Sequence, residues 1–359
     1  MNKFAFIIHP IETKDIYRKY PLLARIPENF VERIFKYLPP IKVSHIEGVK
    51  SPWGEVEGFF IACPLTTRQL LTLPEDISLK KIIDAVKVAE KLGAQIVGLG
   101  AMTSVVGDAG ITIAKNSNIP VTTGNSYTVA SAVEATLRAA ELMNIDIKKA
   151  CVAILGATGS IGSVVARLMA KQCRHLMLLA RNNHVLTKLA RTIMYETGIA
   201  IEISSGSKEI LRNADIVISV TSSMDTVIDP EDLKPGAVVC DVARPRDVSI
   251  AVQKQRKDVL VIEGGVIKVP GPVNFNFDFG FPPGLAYACM AETMILALEE
   301  RWECYSLGRD LSITGVEEIK RLAQKHNFQL AGMRSFERAL TDEQIQQIKK
   351  EAQRIRKAV

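Results

Sequence analysis

The spacing of apolar positions predicts a regular alternation of strands and helices between residues 150 and 265. Short apolar runs bounded by turn residues predict six strands, at 152–155, 176–180, 201–203, 216–220, 238–240 and 259–262. Helical patterns follow the first two strands. Such an alternation predicts a doubly wound parallel sheet, the Rossmann type of α/β domain.

The region before residue 145 has a less regular pattern. Residues 1–75 mix short apolar runs with eight prolines, which predicts strands and loops rather than helices. Further on, the pattern predicts a helix over 78–92 that ends at Gly93, a strand over 95–99 and a helix between residues 108 and 120. A longer helix is predicted from the polar turn at 122–126 to about residue 143. The alternation predicts an α/β domain here as well.

The last part of the chain is predicted to be helical. A loop rich in proline and phenylalanine covers residues 270–283, and helical patterns follow near 284–303, 315–326 and 341–357. Thr341 and Gln344 have the spacing of a capping box for the last helix. The fold class that we predict is α/β: an N-terminal α/β domain, a central doubly wound Rossmann domain and a C-terminal helical segment.

Composition narrows the class of protein. The chain has 359 residues, of which 47% are hydrophobic and 23% charged, so it has ample material for folded cores. No apolar run reaches the ~20 residues of a membrane span, and the first strand is too short for a secretory signal. The six cysteines have no metal-binding spacing, and we expect reduced thiols, no metal site and a cytoplasmic location. The net charge of +6 comes without a nucleic-acid-binding motif, so no nucleic acid partner is expected.

A glycine loop follows the first strand of the central domain and opens its first helix. Gly156, Gly159 and Gly162 have the G-x-x-G-x-x-G spacing of a dinucleotide-binding turn. Gly156 would allow the tight turn, Gly159 the approach of a pyrophosphate, and Gly162 close helix packing. The helix start would bind phosphate through its N–H groups and its dipole. We therefore predict cofactor contacts for the loop residues Gly156, Thr158, Gly159, Ser160, Ile161 and Gly162, although a plain helix-opening turn remains an alternative.

The end of the second strand distinguishes the two nicotinamide cofactors. An acidic residue there would bind the ribose 2′-hydroxyl, but this chain has Arg181 and Asn182. Because Arg181 can pair with a 2′-phosphate, we predict NADP(H), with a solvated arginine as the alternative. Val220 and Thr221, after the fourth strand, lie where a Rossmann fold lets the cofactor pass, although an ordinary turn would use the same residues.

Cys289 is the candidate for covalent chemistry. It lies where the first C-terminal helix begins, and a thiol near a helix N-terminus can have a lowered pKa and react as a thiolate. Its neighbours are apolar, and a cysteine in such surroundings is more often a buried structural thiol than a nucleophile. Thr123, Asn125, Ser126 and Thr128 surround another helix start, where they could bind a substrate carbonyl or serve as helix caps. His9, beside a proline, is better explained as structural than as an acid or base.

Several of these segments resemble the long-chain acyl-[acyl-carrier-protein] reductases of cyanobacteria. The resemblance extends from about residue 54 to 313, and its motifs are the following segments: Leu99-Gly100, Thr122-Thr-Gly-Asn125-x-x-Thr128, Gly156 to Gly162, Ala180-Arg181-Asn182, Gly264-Gly265, Ala288-Cys-x-Ala-Glu292 and Ser306-x-Gly308-Arg309. It implies that Cys289 takes a fatty acyl group from a thioester of acyl-carrier protein or coenzyme A, and that NADPH reduces this group to an aldehyde. The first 50 residues, the phenylalanine-rich loop and the chain past residue 328 differ from the family, which leaves the acyl length and its carrier open.

Three functions therefore follow from the sequence. The first is an NADPH-dependent, aldehyde-forming reductase with a cysteine thioester. The second is an NADP-dependent dehydrogenase of a small hydroxy or amino acid, of the shikimate type, without a covalent intermediate. The third is a nonenzymatic NADP(H) sensor. The predicted domains are a substrate domain at 1–145, an NADP(H)-binding Rossmann domain at 146–270, and a helical region at 271–359 that carries Cys289. The oligomeric state is not predicted.

Overall fold

Six parallel strands form the central sheet of the computed structural model, which describes residues 1–205, 208–223 and 226–358. In chain order these strands are Cys151–Leu155, His175–Leu179, Ile201–Ser204, Ile216–Ser219, Val238–Asp241 and Leu260–Glu263. Numbered along the chain from one to six, their order across the sheet is 3-2-1-4-5-6. This is the Rossmann order, and it confirms the predicted fold class.

The chain divides into two compact units. The first contains residues 1–127, 267–311 and 318–329, and the second contains residues 128–266, 312–317 and 330–359. The Rossmann sheet belongs to the second unit. The segment that begins with the phenylalanine-rich loop and carries Cys289 belongs to the first unit.

The first unit is built on a five-stranded sheet. Across the sheet the strands follow the order Ile41–Ser51, Gly54–Ala62, Asn2–Ile8, Ile96–Leu99 and Val121–Thr122. Only the edge strand Ile41–Ser51 runs antiparallel to its neighbour. A core of buried apolar side chains lies between the sheet and the helix Glu75–Lys91. The sheet therefore brings the carboxyl ends of its parallel strands to one edge.

The prediction of strands and loops alone for residues 1–75 was wrong. The structure has helices at Thr13–Lys19, Glu28–Tyr37 and Thr67–Thr72. Pro27 and Pro74 are N-cap residues, and Pro21 opens a short 3₁₀ helix. Proline is tolerated at these positions because the first residues of a helix have no intrahelical acceptor for their N–H groups.

The remaining helices agree with the patterns in approximate place, except for Ile250–Gln255, which was not predicted. They are Ile111–Lys115, Asn125–Leu142, Ser160–Ala170, Asn183–Thr197, Ile250–Gln255, Ala288–Leu298, Ile313–Lys325 and Asp342–Ala358. Short strands that were not predicted lie at Val266–Lys268, Leu285–Tyr287, Gln329–Leu330, Arg334–Ser335 and Arg338–Ala339. The capping box of the last helix is present, since the Thr341 and Gln344 side chains each accept a hydrogen bond from the other residue's backbone N–H. In the described parts of the chain, no helix has the length and apolar content that a bilayer crossing requires.

Candidate active site

The glycine loop leaves the first Rossmann strand and leads directly into the helix Ser160–Ala170. Gly156 has a φ of +84°, and a Cβ there would lie 2.8 Å from the Val220 carbonyl oxygen. A Cβ on Gly162 would lie 2.3 Å from the Gly156 carbonyl oxygen. Both positions therefore need glycine for the fold itself, and the loop lies against the end of the fourth strand.

Gly159 differs from the other two glycines because the fold of the protein would accommodate a side chain at this position. Its φ of −75° is open to any residue, and a Cβ there would have one neighbour, the Gly156 carbonyl oxygen at 3.4 Å. Gly159 is the N-cap of the helix and is exposed. The exposed helix start and the free space beside it fit the pyrophosphate of a dinucleotide.

Arg181 and Asn182 follow the second strand, as predicted, but only one of the two side chains is free of helix capping and could contact a cofactor. Arg181 is exposed. The Asn182 side chain accepts a hydrogen bond from the Val185 N–H at 3.1 Å and so caps the helix Asn183–Thr197. Arg181 thus presents its guanidinium group to solvent at the position that distinguishes the two cofactors.

Thr221, which follows Val220 after the fourth strand, is held by a carboxylate that the sequence did not single out. Asp247 is fully buried and accepts hydrogen bonds from the Thr221 hydroxyl at 2.5 Å and the Thr221 N–H at 3.0 Å. The Ser219 hydroxyl donates to the same carboxylate at 2.6 Å. The Val220 N–H donates to the Leu155 carbonyl. These bonds fix the turn against which the glycine loop packs.

Cys289 is the second residue of the helix Ala288–Leu298, which follows the N-cap Tyr287. Its side chain is half-buried, and the nearby backbone N–H groups of Met290 and Ala101 favour the thiolate form of its sulfur. Gly124 lies against the same residue, since a Cβ on Gly124 would be 2.3 Å from the Cys289 Cα. Two loops at the carboxyl edge of the first sheet therefore enclose the thiol.

The Ala101 N–H is presented by a strained turn. Ala101 has a φ of +46°, which an alanine rarely adopts, and strain of this kind recurs at active sites. The next residue, Met102, donates its N–H to the His9 Nε2 at 3.1 Å. The other ring nitrogen of His9 lies 3.0 Å from the Pro10 carbonyl oxygen and therefore carries the proton. Burial lowers the pKa of His9 to about 4, so a neutral His9 fixes this turn near pH 7.

Glu292, one helical turn after the cysteine, connects the surrounding loops. It is fully buried and accepts hydrogen bonds from the Thr122 hydroxyl at 2.5 Å and the Tyr127 N–H at 2.8 Å. Burial raises the pKa of Glu292, while hydrogen bonds from Thr122, Tyr127, Ser306 and Gly124 oppose that rise. The carboxylate joins the polar turn at 122–126 to the helix that carries the thiol.

The hydroxyl groups predicted to bind substrate are engaged within the protein. The Thr123 hydroxyl donates to the Ser306 carbonyl oxygen at 2.5 Å, and the Ser306 hydroxyl donates to the Ser126 hydroxyl at 2.7 Å. Asn125 is buried and Thr128 is half-buried. Thr123 and Ser126 thus hold the Ser306 segment in place, and substrate contacts for these four residues remain a prediction.

The expectation of a lowered thiol pKa at the helix start was wrong. Burial, with a smaller contribution from the nearby Glu292 carboxylate, raises the pKa of Cys289 to about 12, although the backbone N–H groups of Met290 and Ala101 oppose the rise. Desolvation of a thiolate outweighs a helix terminus when apolar residues surround the sulfur. Cys289 is therefore a neutral thiol at physiological pH in the free protein.

Alkylation of Cys289 by iodoacetamide is expected to accelerate about tenfold per pH unit from pH 7 to pH 10, without a plateau. Only the thiolate reacts, and its fraction grows tenfold per unit while the pH stays below the thiol pKa. Peptide mass spectrometry at timed intervals measures the rate. In urea-unfolded protein the curve should level off near the ordinary thiol pKa of about 8.5. A plateau below pH 9 in the folded protein would contradict the raised pKa.

The sequence missed three residues that organise the surroundings of Cys289. Ala101 has no chemical signature, and only its positive φ reveals the strain. Glu292 and Ser306 stood in the resembling motifs without a role, and their roles depend on contacts between distant segments. Within the described residues, no cluster of three or more His, Cys, Asp or Glu side chains is suited to hold a metal ion.

Comparison with known proteins identifies one family model and several relatives. The model described as shikimate / quinate 5-dehydrogenase matches residues 138–263. This match contains the glycine loop and the six-stranded sheet, but not Cys289. Among solved structures, L-tryptophan dehydrogenase from Nostoc punctiforme is aligned over 100% of this chain and 90% of its own, with a TM-score of 0.40 and 12% identity.

Two curated proteins are similar over most of the chain. Aminotransferase PigE from a Serratia species is 30% identical over 97% of this chain and 42% of its own length, so the chain spans less than half of that relative. Long-chain acyl-[acyl-carrier-protein] reductase from Synechococcus elongatus is 28% identical over 81% of this chain and 87% of its own length. The second similarity agrees with the resemblance drawn from the motifs.

Proposed function

We propose that this chain is an NADPH-dependent reductase that converts a fatty acyl thioester to an aldehyde through an acyl group carried by Cys289. The observation that carries the proposal is the position of Cys289 in the first turn of its helix, against Gly124 and beside the strained turn at Ala101, whose N–H favours the thiolate form. Donors at such a position can stabilise negative charge that develops on the sulfur or on a neighbouring acyl oxygen. The similarity to the Synechococcus reductase supports the proposal.

The acyl transfer is a thiol exchange that balances without a further reactant. The sulfur of Cys289 bonds to the thioester carbonyl carbon, and the bond from that carbon to the donor sulfur breaks. The thiol proton of Cys289 ends on the departing thiol of the carrier protein or coenzyme A. Because the thiolate is the nucleophile, the Cys289 proton must leave the sulfur as the thioester approaches, and the nearby backbone N–H groups favour that charged form.

The residues of the second unit suit the cofactor that the reduction needs. The glycine loop and the start of the helix Ser160–Ala170 would hold the pyrophosphate, and Arg181 would pair with the 2′-phosphate. When bound, reduced nicotinamide supplies the hydride for the acyl carbonyl carbon. When the aldehyde leaves, Cys289 regains its proton from solvent and is ready for another acyl group.

Arg181→Ala is expected to narrow the preference for NADPH over NADH about tenfold, by weakening NADPH alone. A charged hydrogen bond to a phosphate that remains partly solvated contributes about 1–2 kcal/mol to binding. NADH has no 2′-phosphate, so its affinity should not change. Isothermal titration calorimetry with both cofactors measures the change. Arg191→Ala, an exposed arginine of the helix Asn183–Thr197, is the control. Equal affinity of the unaltered protein for both cofactors would contradict the NADP(H) prediction.

A row of aromatic rings supports an acyl chain as the substrate. Phe281 packs against Tyr287, the N-cap of the Cys289 helix, at a centroid distance of 4.6 Å. The row continues through Phe279 and Phe275 to Phe60, with centroid distances of 5.8, 5.1 and 5.9 Å. Phe279 and Phe281 are half-buried and so retain apolar surface for a ligand. An apolar surface that ends at the N-cap of the helix carrying the thiol suits an alkyl chain better than a small hydroxy acid.

The second candidate is a dehydrogenase of a small hydroxy or amino acid, which the shikimate / quinate 5-dehydrogenase match over residues 138–263 favours. Because that match lies entirely outside the segment with Cys289, it bears on cofactor binding and leaves the substrate open. In this function the thiol would have no part in the reaction.

Intact mass spectrometry with a panel of acyl thioesters, with and without NADPH, tests the proposal. Fatty acyl-coenzyme A and acyl-carrier protein of several chain lengths should add one acyl mass to the protein, and NADPH should remove it as aldehyde. No adduct from any thioester, together with cofactor turnover on a hydroxy acid, would establish the second candidate instead.

A further inference from the structure

Exposed apolar side chains are concentrated in one short segment of the first unit. The described residues expose sixteen large apolar side chains, and seven of them lie within residues 20–41. They are Tyr20, Leu22, Phe30, Ile34, Tyr37, Leu38 and Ile41. Residues 20–42 are called the apolar patch below. Scattered single residues of this kind are ordinary, but such a local concentration indicates a surface that is covered at some stage.

Part of the apolar patch lies on the solvent-exposed face of the helix Glu28–Tyr37. Phe30, Ile34 and Tyr37 are four and three residues apart, so they form a single stripe, and they are 59%, 43% and 74% exposed. Val31 and Glu32 are buried on the other side of the helix. The helix is thus anchored by one face while it presents a second apolar face to solvent.

The buried side of this helix is firmly held. The Glu32 carboxylate accepts hydrogen bonds from the Thr66 hydroxyl at 3.1 Å and from the Arg68 guanidinium. The Gln69 side-chain amide donates to the Glu32 carbonyl oxygen at 2.9 Å. The exposed stripe is therefore a fixed feature of the surface. The preceding 3₁₀ helix Pro21–Arg25 has no buried residue, and its Leu22 is 79% exposed.

Positive charge accompanies the apolar side chains. Residues 20–42 contain Arg25, Arg33, Lys36 and Lys42, against Glu28 and the engaged Glu32. Arg25, Arg33 and Lys42 are exposed. Protruding aromatic and aliphatic side chains among cations are the composition of a surface that lies in the headgroup region of a bilayer.

We propose that the apolar patch binds the surface of an anionic lipid bilayer. The stripe of Phe30, Ile34 and Tyr37, with Leu22 beside it in the chain, would enter the boundary between headgroups and acyl chains, while Arg25 and Arg33 contact lipid phosphates. Protruding side chains on a short helix need no complementary groove in a lipid surface, whereas a protein partner would have to supply one. This proposal does not depend on the function proposed for Cys289.

Cosedimentation with vesicles tests the proposal on the full chain. Vesicles of phosphatidylcholine with 30% phosphatidylglycerol should retain the protein at least about tenfold more strongly than vesicles of phosphatidylcholine alone, and 0.5 M salt should remove most of this difference. The triple variant Leu22→Ser, Phe30→Ser, Ile34→Ser should bind the mixed vesicles at least about tenfold more weakly, because each change removes inserted apolar surface.

A matched control lies on another exposed helix. Val185, Met194 and Tyr195 of Asn183–Thr197 are 40%, 52% and 94% exposed, and their triple change to serine should leave vesicle binding unaltered. Circular dichroism and the melting temperature of both variants establish that the fold is kept. Lack of binding to the mixed vesicles, or equal losses in the two variants, overturns the proposal. Two other results would also overturn it: a dimer seen by light scattering, or a complex with an acidic carrier protein, in each case lost in the Leu22/Phe30/Ile34 variant while that variant still binds vesicles.

Discussion

Aldehyde formation is expected to fall at least about a thousandfold when Cys289 is replaced by serine, a loss of roughly 4 kcal/mol of transition-state stabilisation. A serine hydroxyl fits the same space but is a far weaker nucleophile without an adjacent base. The His9 imidazole contacts the turn at Ala101, but both of its ring nitrogens are engaged, with Met102 and Pro10, so it does not serve as that base. Steady-state assays of aldehyde release and intact-mass detection of the acyl adduct measure the effect.

Order of addition separates the two halves of this reaction. Without NADPH the unaltered protein should retain a stable acyl group on Cys289, and NADPH added later should release aldehyde. Cys304→Ser is the matched control, since Cys304 is an exposed thiol of the same unit and should be dispensable. If Cys289→Ser kept full turnover, hydride transfer would proceed without the thiol, and the small-substrate dehydrogenase would become the preferred function.

Cofactor binding is expected to weaken more than about a hundredfold in Gly159→Val, while the fold is kept. The protein itself leaves the space at Gly159 open, and the valine would occupy the place where the pyrophosphate meets the helix N–H groups. Loss of several charge-assisted hydrogen bonds accounts for an effect of this size. Calorimetry with NADPH measures the affinity, and the melting temperature without cofactor reports on the fold.

Thr187→Val is the control for this substitution. Thr187 is half-buried on the helix Asn183–Thr197, so the change introduces a valine outside the loop by exchanging a hydroxyl for a methyl group. Unchanged NADPH affinity in a folded Gly159→Val protein would show that the loop is only a helix-opening turn. Gly156 and Gly162 are unsuitable for this test, since a Cβ at either position would collide with backbone atoms.

The Rossmann domain could be predicted because its pattern is local. Each strand is a short apolar run, and parallel strands joined by helices leave few topologies to choose from. The glycine loop was recognisable for the same reason, since the turn, the helix start and their spacing all lie within seven residues. The strand order 3-2-1-4-5-6 was not predicted and comes from the structure.

The helices of the first 75 residues were harder to predict because proline has opposite effects at different positions of a helix. Proline breaks a helix interior but suits its first turn, and the sequence alone did not distinguish these positions. Pro27 caps the helix Glu28–Tyr37, whose buried Glu32 is held by Thr66, Arg68 and Gln69, and these tertiary contacts stabilise the short helix more than its intrinsic propensity does.

The sequence by itself determined the alternation of elements, the place of the glycine loop and the helix start at Cys289, because each depends on neighbouring residues. Only the tertiary structure decided the state of the thiol. Its surroundings come from two turns more than 150 positions earlier in the chain: one at the strained Ala101, and one at Thr122 to Gly124 that Glu292 fastens. Burial by those segments raises the pKa of Cys289 to about 12, against the lowering that a helix N-terminus alone would produce. Desolvation depends on everything packed around a group, and a local pattern contains no record of it.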